Sequence, residues 1–219
     1  LSEEVGRDNV IKTAQSLGLY NDIPNNPSVA LGTSEHTLLE ITGAYAGILN
    51  GGKYVTPYGL TNLRLKSNDT PLMEKNFLSK ERTLSQSTTE QLIYMMHRTL
   101  QDGTGTKANI KEIEAAGKTG TTQNQRDAWF IGFTTQHVVG VWMGNDNNLS
   151  LTGVTGGGLP AEIWKEILIK ISENSSYKPL PMIRPKVPPT LENGTYRNQE
   201  LNPKSNFNIF KSIKNLFKQ

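Results

Sequence analysis

Two stretches near the start of the chain place apolar residues at helical spacing, three and four positions apart. The first predicts a helix over residues 6–17, followed by Gly18, a residue suited to a left-handed helix end. In the second, Thr37 and Glu40 form a capping box before an apolar stripe that stops at Gly51. Two helices are therefore predicted to open the fold.

A third helix is predicted after a segment rich in turn-forming residues. Residues 53–84 contain two prolines and short mixed runs, which predict a loop with a small hairpin. Ser87 and Glu90 then repeat the capping-box spacing, and the helical stripe that follows stops before Asp102. The helical half of the chain is thus expected to end there.

The second half of the chain changes from helical to strand periodicity. Residues 127–134 and 138–143 are rich in aromatic and β-branched residues and are separated by a short link, which predicts an antiparallel hairpin. Residues 115–122 can supply a third strand, and a helix is predicted to begin near Pro160. The buried stripe of that helix is predicted to be Ile163, Trp164, Ile167, Leu168 and Ile171. The aromatic residues predicted to lie in the core of the hairpin are Trp129, Phe130 and Trp142. The predicted fold class is α+β, with helices covering an antiparallel sheet of at least three strands.

Charge and proline content separate a body from a tail. The net charge is +3, but the residues from Lys178 onward carry eight basic and two acidic side chains, so the tail is +6 and the body −3. Six of the eleven prolines also lie in the tail. We predict a body over residues 1–175 and an extended basic tail without a stable fold over 176–219. Residues 207–219 place apolar side chains on one helical face, which fits either contact with an anionic surface or partner groove, or a frayed terminus.

Several kinds of chemistry are disfavoured by the composition. The chain has no Cys, which excludes disulfides and thiolate catalysis. Its three His residues have no partner at metal-ligand spacing, so we predict no metal site. A phosphate-binding P-loop ending at Lys118 is also disfavoured, because Glu112 stands where that loop needs glycine.

Lys118, Thr119 and Gly120 form a triplet that suits an active-site cleft. On an edge strand, the lysine offers a fixed positive charge, the threonine offers a hydroxyl to a substrate carboxylate, and the glycine lets a ligand lie against the backbone. Serine acyl-transfer enzymes combine this triplet with an S-x-x-K nucleophile motif and an S-D-N type motif. Taken alone, the triplet is a weak signal.

Longer segments strengthen this signal. They read DGTGTKA over 102–108, AGKTGTT over 116–122, DAWFIGFT over 127–134 and VWMGND over 141–146. In order and spacing they closely resemble the end of the transpeptidase domain of class A penicillin-binding proteins. The resemblance covers most of residues 1–172 and leaves out the tail. It implies that the body is part of a penicillin-binding transpeptidase or serine β-lactamase-like fold.

The resemblance also implies a function, that of a D,D-transpeptidase which cross-links peptidoglycan stem peptides by serine acyl transfer. Lys118 is then expected in the catalytic proton and charge network, and the backbone N–H of Thr121 in the oxyanion hole. The hydroxyls of Thr119 and Thr121 are expected to hold the carboxylate of the peptide or β-lactam. The substrate-binding positions implied are Gly103, Gly105, Thr119, Gly120, Thr121 and Thr122. A simple end of the preceding helix explains Gly103 and Gly105 equally well.

The implied ligands and location follow from the same resemblance. Stem peptides ending in D-Ala-D-Ala and β-lactams are the expected ligands, with no cofactor and no nucleic acid partner. The expected location is the outer face of the cytoplasmic membrane, where an N-terminal anchor and a glycosyltransferase domain would belong to the parent protein.

The chain departs from the family pattern in its serine motifs. Both family motifs precede the Lys-Thr-Gly strand, whereas here the S-x-x-K at Ser175–Lys178 and the S-x-N at Ser172–Asn174 follow it, and both are interpreted as chance matches. We expect the N-terminal remainder of the protein to supply the nucleophile, the general base and the anchor, and this chain alone to be inactive. The alternative is a non-catalytic module that keeps the fold to bind peptidoglycan or a partner.

Overall fold

A computed structural model describes residues 2–75, 82–173, 176–184, 190–192 and 195–197. The helices are Ser2–Val5 (α1), Arg7–Ser16 (α2), Leu38–Leu49 (α3), Gln86–Gln101 (α4) and Leu159–Ile171 (α5). The strands are Asn62–Arg64 (β1), Pro71–Glu74 (β2), Ala116–Thr121 (β3), Asp127–Phe133 (β4), Val138–Gly144 (β5), Thr190–Glu192 (β6) and Thr195–Arg197 (β7). Short 3₁₀ segments cover Pro27–Leu31, Thr106–Ala108 and Gln123–Gln125. The α+β prediction is confirmed.

The first two predicted helices are present, with one difference. The helix predicted over residues 6–17 is α2, with Gly6 as its N-cap at a φ of 92°, and Gly18 follows its end with a φ of 101°, as predicted; the short helix α1 before it was not predicted. The capping box of α3 is confirmed, because Thr37 Oγ1 accepts a hydrogen bond from Glu40 N at 3.2 Å and Glu40 Oε2 accepts one from Thr37 N at 2.8 Å. The bonds from Thr37 also lower the pKa of the Glu40 carboxyl group.

The predicted capping box at Ser87 and Glu90 is wrong. Helix α4 begins two residues earlier, because Ser85 is in an extended conformation and its Oγ accepts a hydrogen bond from Thr88 N at 3.2 Å. Ser87 lies inside the first helical turn instead. The predicted end of the helix before Asp102 is confirmed.

The central sheet has the strand order β3-β4-β5, and both pairs are antiparallel. This arrangement confirms the predicted hairpin and its third strand. Lys118 lies opposite Ile131, and Gly120 opposite Trp129. A separate antiparallel pair, β1 with β2, confirms the small hairpin predicted within residues 53–84.

Helices cover the central sheet from both sides and create two apolar clusters. The cluster beneath α3 and α4 contains Leu17, Ala44, Ile48, Leu84, Ile93, Met96, Ala116, Phe133 and Leu180. The cluster beneath α5 contains Leu100, Ala108, Ile110, Ala115, Phe130, Val141, Ala161, Trp164 and Leu168. His97 on α4 also donates from Nδ1 to Ala115 O at 2.8 Å, which fixes the chain where it enters β3. The start of β3 is therefore held inside the core.

The predicted stripe of α5 is correct only in part. Trp164 and Leu168 are fully buried, and Trp164 Nε1 donates to Val139 O at 3.0 Å. Ile167 and Ile171 are 37% and 42% exposed, because the helix lies on the sheet through the narrower face of Pro160, Ala161, Trp164 and Leu168. Trp142 is likewise wrongly assigned to the core, since it is 40% exposed.

The chain after α5 packs back against the body of the fold. Residues 176–184 form no helix or strand, but Leu180 is buried and its N–H donates to Glu114 Oε2 at 2.8 Å. Arg184 also contacts Glu114 through an ion pair. The domain boundary at residue 175 stays a prediction, and the amphipathic segment 207–219 lies outside the described residues. None of the described helices combines the length and the apolar character that crossing a lipid bilayer requires.

Candidate active site

The predicted site residues of β3 divide between the two faces of the sheet. Successive side chains of a strand point to opposite faces, so Lys118 and Gly120 share one face while Thr119 and Thr121 share the other. Ala116 lies on the first of these faces and is fully buried, whereas Lys118, two positions on, is exposed. The strand thus leaves the core between these two residues.

Lys118 is an accessible cation. Its Nζ donates to the backbone carbonyl oxygen of Thr119 at 2.9 Å, and no carboxylate pairs with it within the described part of the chain. Because its charge is not neutralised by a neighbouring acid, the ammonium can attract a ligand anion or stabilise charge that develops nearby.

Thr119 is held by a residue of another loop. Its Oγ1 lies 2.7 Å from Oγ1 of Thr104, which precedes the 3₁₀ segment after α4. The predicted glycines of this loop shape it, since Gly105 N donates to Thr99 O at 2.9 Å. A Cβ built on Gly103 would lie 2.8 Å from the Thr99 Cα. Gly103 and Gly105 therefore fold the loop back on α4 and carry Thr104 to the strand.

Thr121 is held from a third segment, the loop before α5. Its Oγ1 accepts a hydrogen bond from Gly156 N at 3.0 Å. A Cβ built on Gly156 would lie 2.3 Å from Trp129 O and 2.4 Å from Gly120 O, so only glycine fits at this close approach. The absence of a side chain at 156 allows the loop to pack directly on the β3–β4 pair.

Thr122 is engaged in the turn that follows β3. Its Oγ1 donates to Asp127 Oδ2 at 3.2 Å and accepts from Asp127 N at 2.8 Å. The other carboxylate oxygen of Asp127 accepts a hydrogen bond from Trp142 Nε1 at 3.0 Å. The single hydroxyl proton of Thr122 is thus used inside the turn, and its predicted contact with substrate stays a prediction.

Lys118, Thr119, Gly120 and Thr121 are consecutive residues of β3 that lie on alternate faces, and the structure adds two positions that the sequence did not assign to the site. These are Thr104 and Gly156, which are 15 and 35 residues from their partners in the chain. Two segments of the sequence, Gly103-Thr104-Gly105 and Gly156-Gly157-Gly158, are typical of tight turns. Their contacts with β3 were not visible, because local spacing says nothing about pairing over such distances. Among the described residues, no group of three or more His, Asp or Glu side chains could hold a metal ion.

Comparisons with known proteins identify the family and the fold of the chain. A family model described as the penicillin-binding protein transpeptidase domain matches residues 3–169. Penicillin-binding protein 1A of Aquifex aeolicus is 33% identical over 165 residues, which cover 75% of this chain and 22% of that protein. Penicillin-binding protein 1A of Rickettsia typhi is 29% identical over 210 residues, which cover 86% of this chain and 26% of that protein. The chain therefore spans about a quarter or less of the length of these curated relatives.

Solved structures show the same fold. Penicillin-binding protein 1A from Haemophilus influenzae superposes with a TM-score of 0.74 at 21% identity, over 82% of this chain and 33% of that one. The penicillin-binding protein PonA1 from Mycobacterium tuberculosis superposes with a TM-score of 0.68 at 20% identity, over 86% of this chain and 53% of that one. Since the family model matches well over half of the sequence, the chain belongs to the family of penicillin-binding protein transpeptidase domains.

Proposed function

We propose that this chain forms the Lys-Thr-Gly wall of a D,D-transpeptidase site that cross-links peptidoglycan, and that a serine outside these 219 residues is the nucleophile. The observation that carries the proposal is the position of Lys118 and Thr121, which lie exposed at the end of a strand whose beginning is buried. The strand is packed in the core at one end and accessible at the other, which suits a preorganised ligand site.

The backbone of β3 supports a role in binding an extended peptide. In the described part of the chain β3 is an edge strand, with β4 on one side only. Thr122 N donates to Asp127 O at 3.0 Å, towards β4, so the N–H of the preceding residue, Thr121, points to the free edge. This N–H can contribute to an oxyanion hole, and a stem peptide can pair with the free edge as an added strand.

The proposed reaction has two acyl-transfer steps. The serine oxygen bonds to the carbonyl carbon between the two D-Ala residues, the peptide C–N bond breaks, and the serine proton passes to the departing D-Ala amine. An amine of a neighbouring stem peptide then attacks the ester carbonyl carbon and forms a new peptide bond, the C–O bond to the serine breaks, and the amine proton returns to the serine oxygen. Lys118 contributes positive charge near the reacting serine, while the hydroxyls of Thr119 and Thr121 orient the terminal carboxylate.

The position of Ser172 fits the interpretation of the S-x-N match as a chance match, whereas Ser175, which begins the S-x-x-K match, lies outside the described residues. Ser172, which begins the S-x-N match, is buried at the C-terminal end of α5, and Gly157 beside Thr119 lies at the other end of that helix. A helix of 13 residues is about 20 Å long, so Ser172 is remote from Thr119. The same proposal places the site on the outer side of the cytoplasmic membrane, where stem peptides are cross-linked.

Labelled penicillin followed by digestion and mass spectrometry tests the proposal. The protein that carries this chain should acquire one penicilloyl group per molecule, on a serine outside the 219 residues, and the isolated chain should acquire none. A stoichiometric adduct on a serine of the isolated chain would show that the nucleophile is here. Absence of any adduct on the longer protein would contradict the transpeptidase proposal.

The alternative, a non-catalytic binding module, makes a different prediction for the isolated chain. A module that functions alone should melt cooperatively and elute as one species in size-exclusion chromatography. A portion of a larger domain leaves apolar surface and a sheet edge uncovered, which favours association. The exposed side chains of Leu31, Leu39 and Trp142, which are 82%, 64% and 40% exposed, favour the second outcome.

A further inference from the structure

The hydroxyl of Thr104 is placed where it can control the hydroxyl of Thr119. The loop that carries it is fixed on two sides. Gly105 N bonds to Thr99 O on α4, and Lys107 Nζ lies 2.6 Å from Glu162 Oε1 on α5. A Cβ built on Gly157 would lie 2.1 Å from Thr104 O, so the loop before α5 also packs against this residue. Thr104 is therefore held against β3 by its backbone.

The Thr104 and Thr119 hydroxyls carry one proton each. These two protons must serve both the hydrogen bond between the hydroxyls and any hydrogen bond to a ligand carboxylate. Thr104 Oγ1 and Thr119 Oγ1 are 2.7 Å apart, so one donates to the other. A ligand carboxylate only accepts hydrogen bonds. If Thr119 donated to Thr104, Thr119 would have no proton left for the carboxylate. If Thr104 donates, the Thr119 proton stays free to point outward.

Thr121 has the same arrangement with a different donor. Gly156 N–H donates to Thr121 Oγ1, so this hydroxyl also accepts one bond from the body of the protein and keeps its own proton. Thr119 and Thr121 lie on the same face of β3. If Thr104 donates to Thr119, both hydroxyls accept a hydrogen bond from the body of the protein, and both keep a proton for a ligand carboxylate.

We propose that Thr104 is a positioning residue for substrate recognition, because its hydroxyl donates to Thr119 and thereby leaves the Thr119 hydroxyl to bind the ligand carboxylate. This inference rests on the proposed function. It predicts that the site favours peptides and β-lactams with a free carboxylate. It also predicts that the Thr104 hydroxyl speeds acylation by these ligands and not by their esters. A chain of two hydroxyls ending on an anion is also stronger than a single neutral hydrogen bond.

The test compares two forms of one penicillin, the free acid and its methyl ester, in acylation of the protein that carries this chain. Thr104→Val keeps the shape and removes the hydroxyl, and Thr104→Ser restores it. Thr106→Val, an exposed threonine two positions on, is the matched control. For Thr104→Val we expect the second-order acylation rate constant to fall about 10-fold or more with the acid, as for a lost bond to a charged group. We expect it to change less than about two-fold with the ester, and Thr104→Ser and Thr106→Val to stay near wild type.

Each result decides the matter. An equal loss with acid and ester would show that Thr104 is only structural, and no loss with either would show that Thr119 needs no donor; both overturn the inference while the proposed function stands. If Thr104→Val does not fold, the smaller Thr104→Ala is compared in the same way. If wild type reacts with neither compound, the proposed function fails and this inference fails with it.

Discussion

One face of the central sheet has two ends that differ in what covers them. At the first end, α3 and α4 pack over Ala116 and Phe133, which are fully buried. At the second end, on the same face, Lys118 is exposed and Trp142 is 40% exposed. On the opposite face, helix α5 covers the middle of the sheet, where Phe130 is fully buried against Trp164.

The contrast shows how one short strand serves both stability and function. Its first residues belong to the core and fix the direction of the backbone. Its last residues project beyond the helices and carry the polar groups of the proposed site, so the same backbone positions them without their being buried. The location of the site therefore follows from where helix cover stops, and changes at the two ends should have different consequences.

The largest expected effect is on activity and comes from Lys118→Ala at the uncovered end. In the protein that carries this chain, penicillin acylation should slow by at least about 100-fold, because a preorganised charge is lost from the site. Unfolding free energy should change by no more than about 0.5 kcal/mol, since the side chain is exposed. Lys111→Ala, an exposed lysine outside the strand, is the control and should change neither quantity. A large loss of stability in the Lys118 variant would show that the uncovered end of the strand also contributes to the core, and would contradict the difference between the two ends.

The next largest expected effect is on stability, and it is tested by replacing two tryptophans, one on the covered face and one on the uncovered face. Trp164→Ala should cost about 3–5 kcal/mol, because a fully buried side chain leaves a cavity between α5 and the sheet. Trp142→Ala, the same chemical deletion on the uncovered face, should cost about 1–2 kcal/mol. Denaturant unfolding of both variants checks this difference. Equal costs would mean that the face beside Lys118 is as well packed as the core.

A smaller effect is expected from adding a methyl group at Gly156, in the loop before α5 that packs on the β3–β4 pair. Gly156→Ala should destabilise the protein by about 1–3 kcal/mol and slow acylation, because its Cβ must displace the backbone of Gly120 or Trp129. Gly59→Ala is the matched control, because a Cβ there has no neighbour within 4 Å. Thermal melting and acylation rates measure both effects. A neutral Gly156 variant would show that the loop moves freely over β3.

The smallest effect is expected at the turn beside the site. Asp127→Ala removes the carboxylate acceptors of the Thr122 hydroxyl and the Trp142 indole, which should cost about 1 kcal/mol. Trp142→Phe removes the indole donor directly. Combining the two variants should cost less than the sum of the single changes, because both remove the same hydrogen bond. Additive costs in denaturant unfolding would show that this bond contributes nothing to the turn.

Local chemistry explains which parts of the fold the sequence could predict. The capping box of Thr37 and the β4–β5 hairpin were predicted correctly, because both are set by residues within a few positions of each other. The start of α4 was missed, because Ser85 and Ser87 are the same residue type and only the extended backbone at Ser85 distinguishes them. The exposure of Trp142 was missed because strand periodicity does not reveal where a covering helix ends.

The candidate site shows the same limit. The residue types from Lys118 to Thr121 are informative by themselves, since a cation, hydroxyls and glycine on one strand suit carboxylate recognition. The part played by Thr104 depends on a tertiary contact of 2.7 Å between side chains of separate loops. Such contacts are determined by packing around α4 and α5, and no spacing rule along the chain reports them.

The structure of a β-lactam acyl-enzyme that contains this chain tests the central claim most directly. We expect the ligand carboxylate within about 2.6–3.2 Å of the Thr119 and Thr121 hydroxyls, and the ester carbonyl oxygen at the N–H of Thr121. The acylated serine should come from sequence outside these 219 residues. A ligand bound away from β3, with Lys118 and both hydroxyls untouched, would contradict the account.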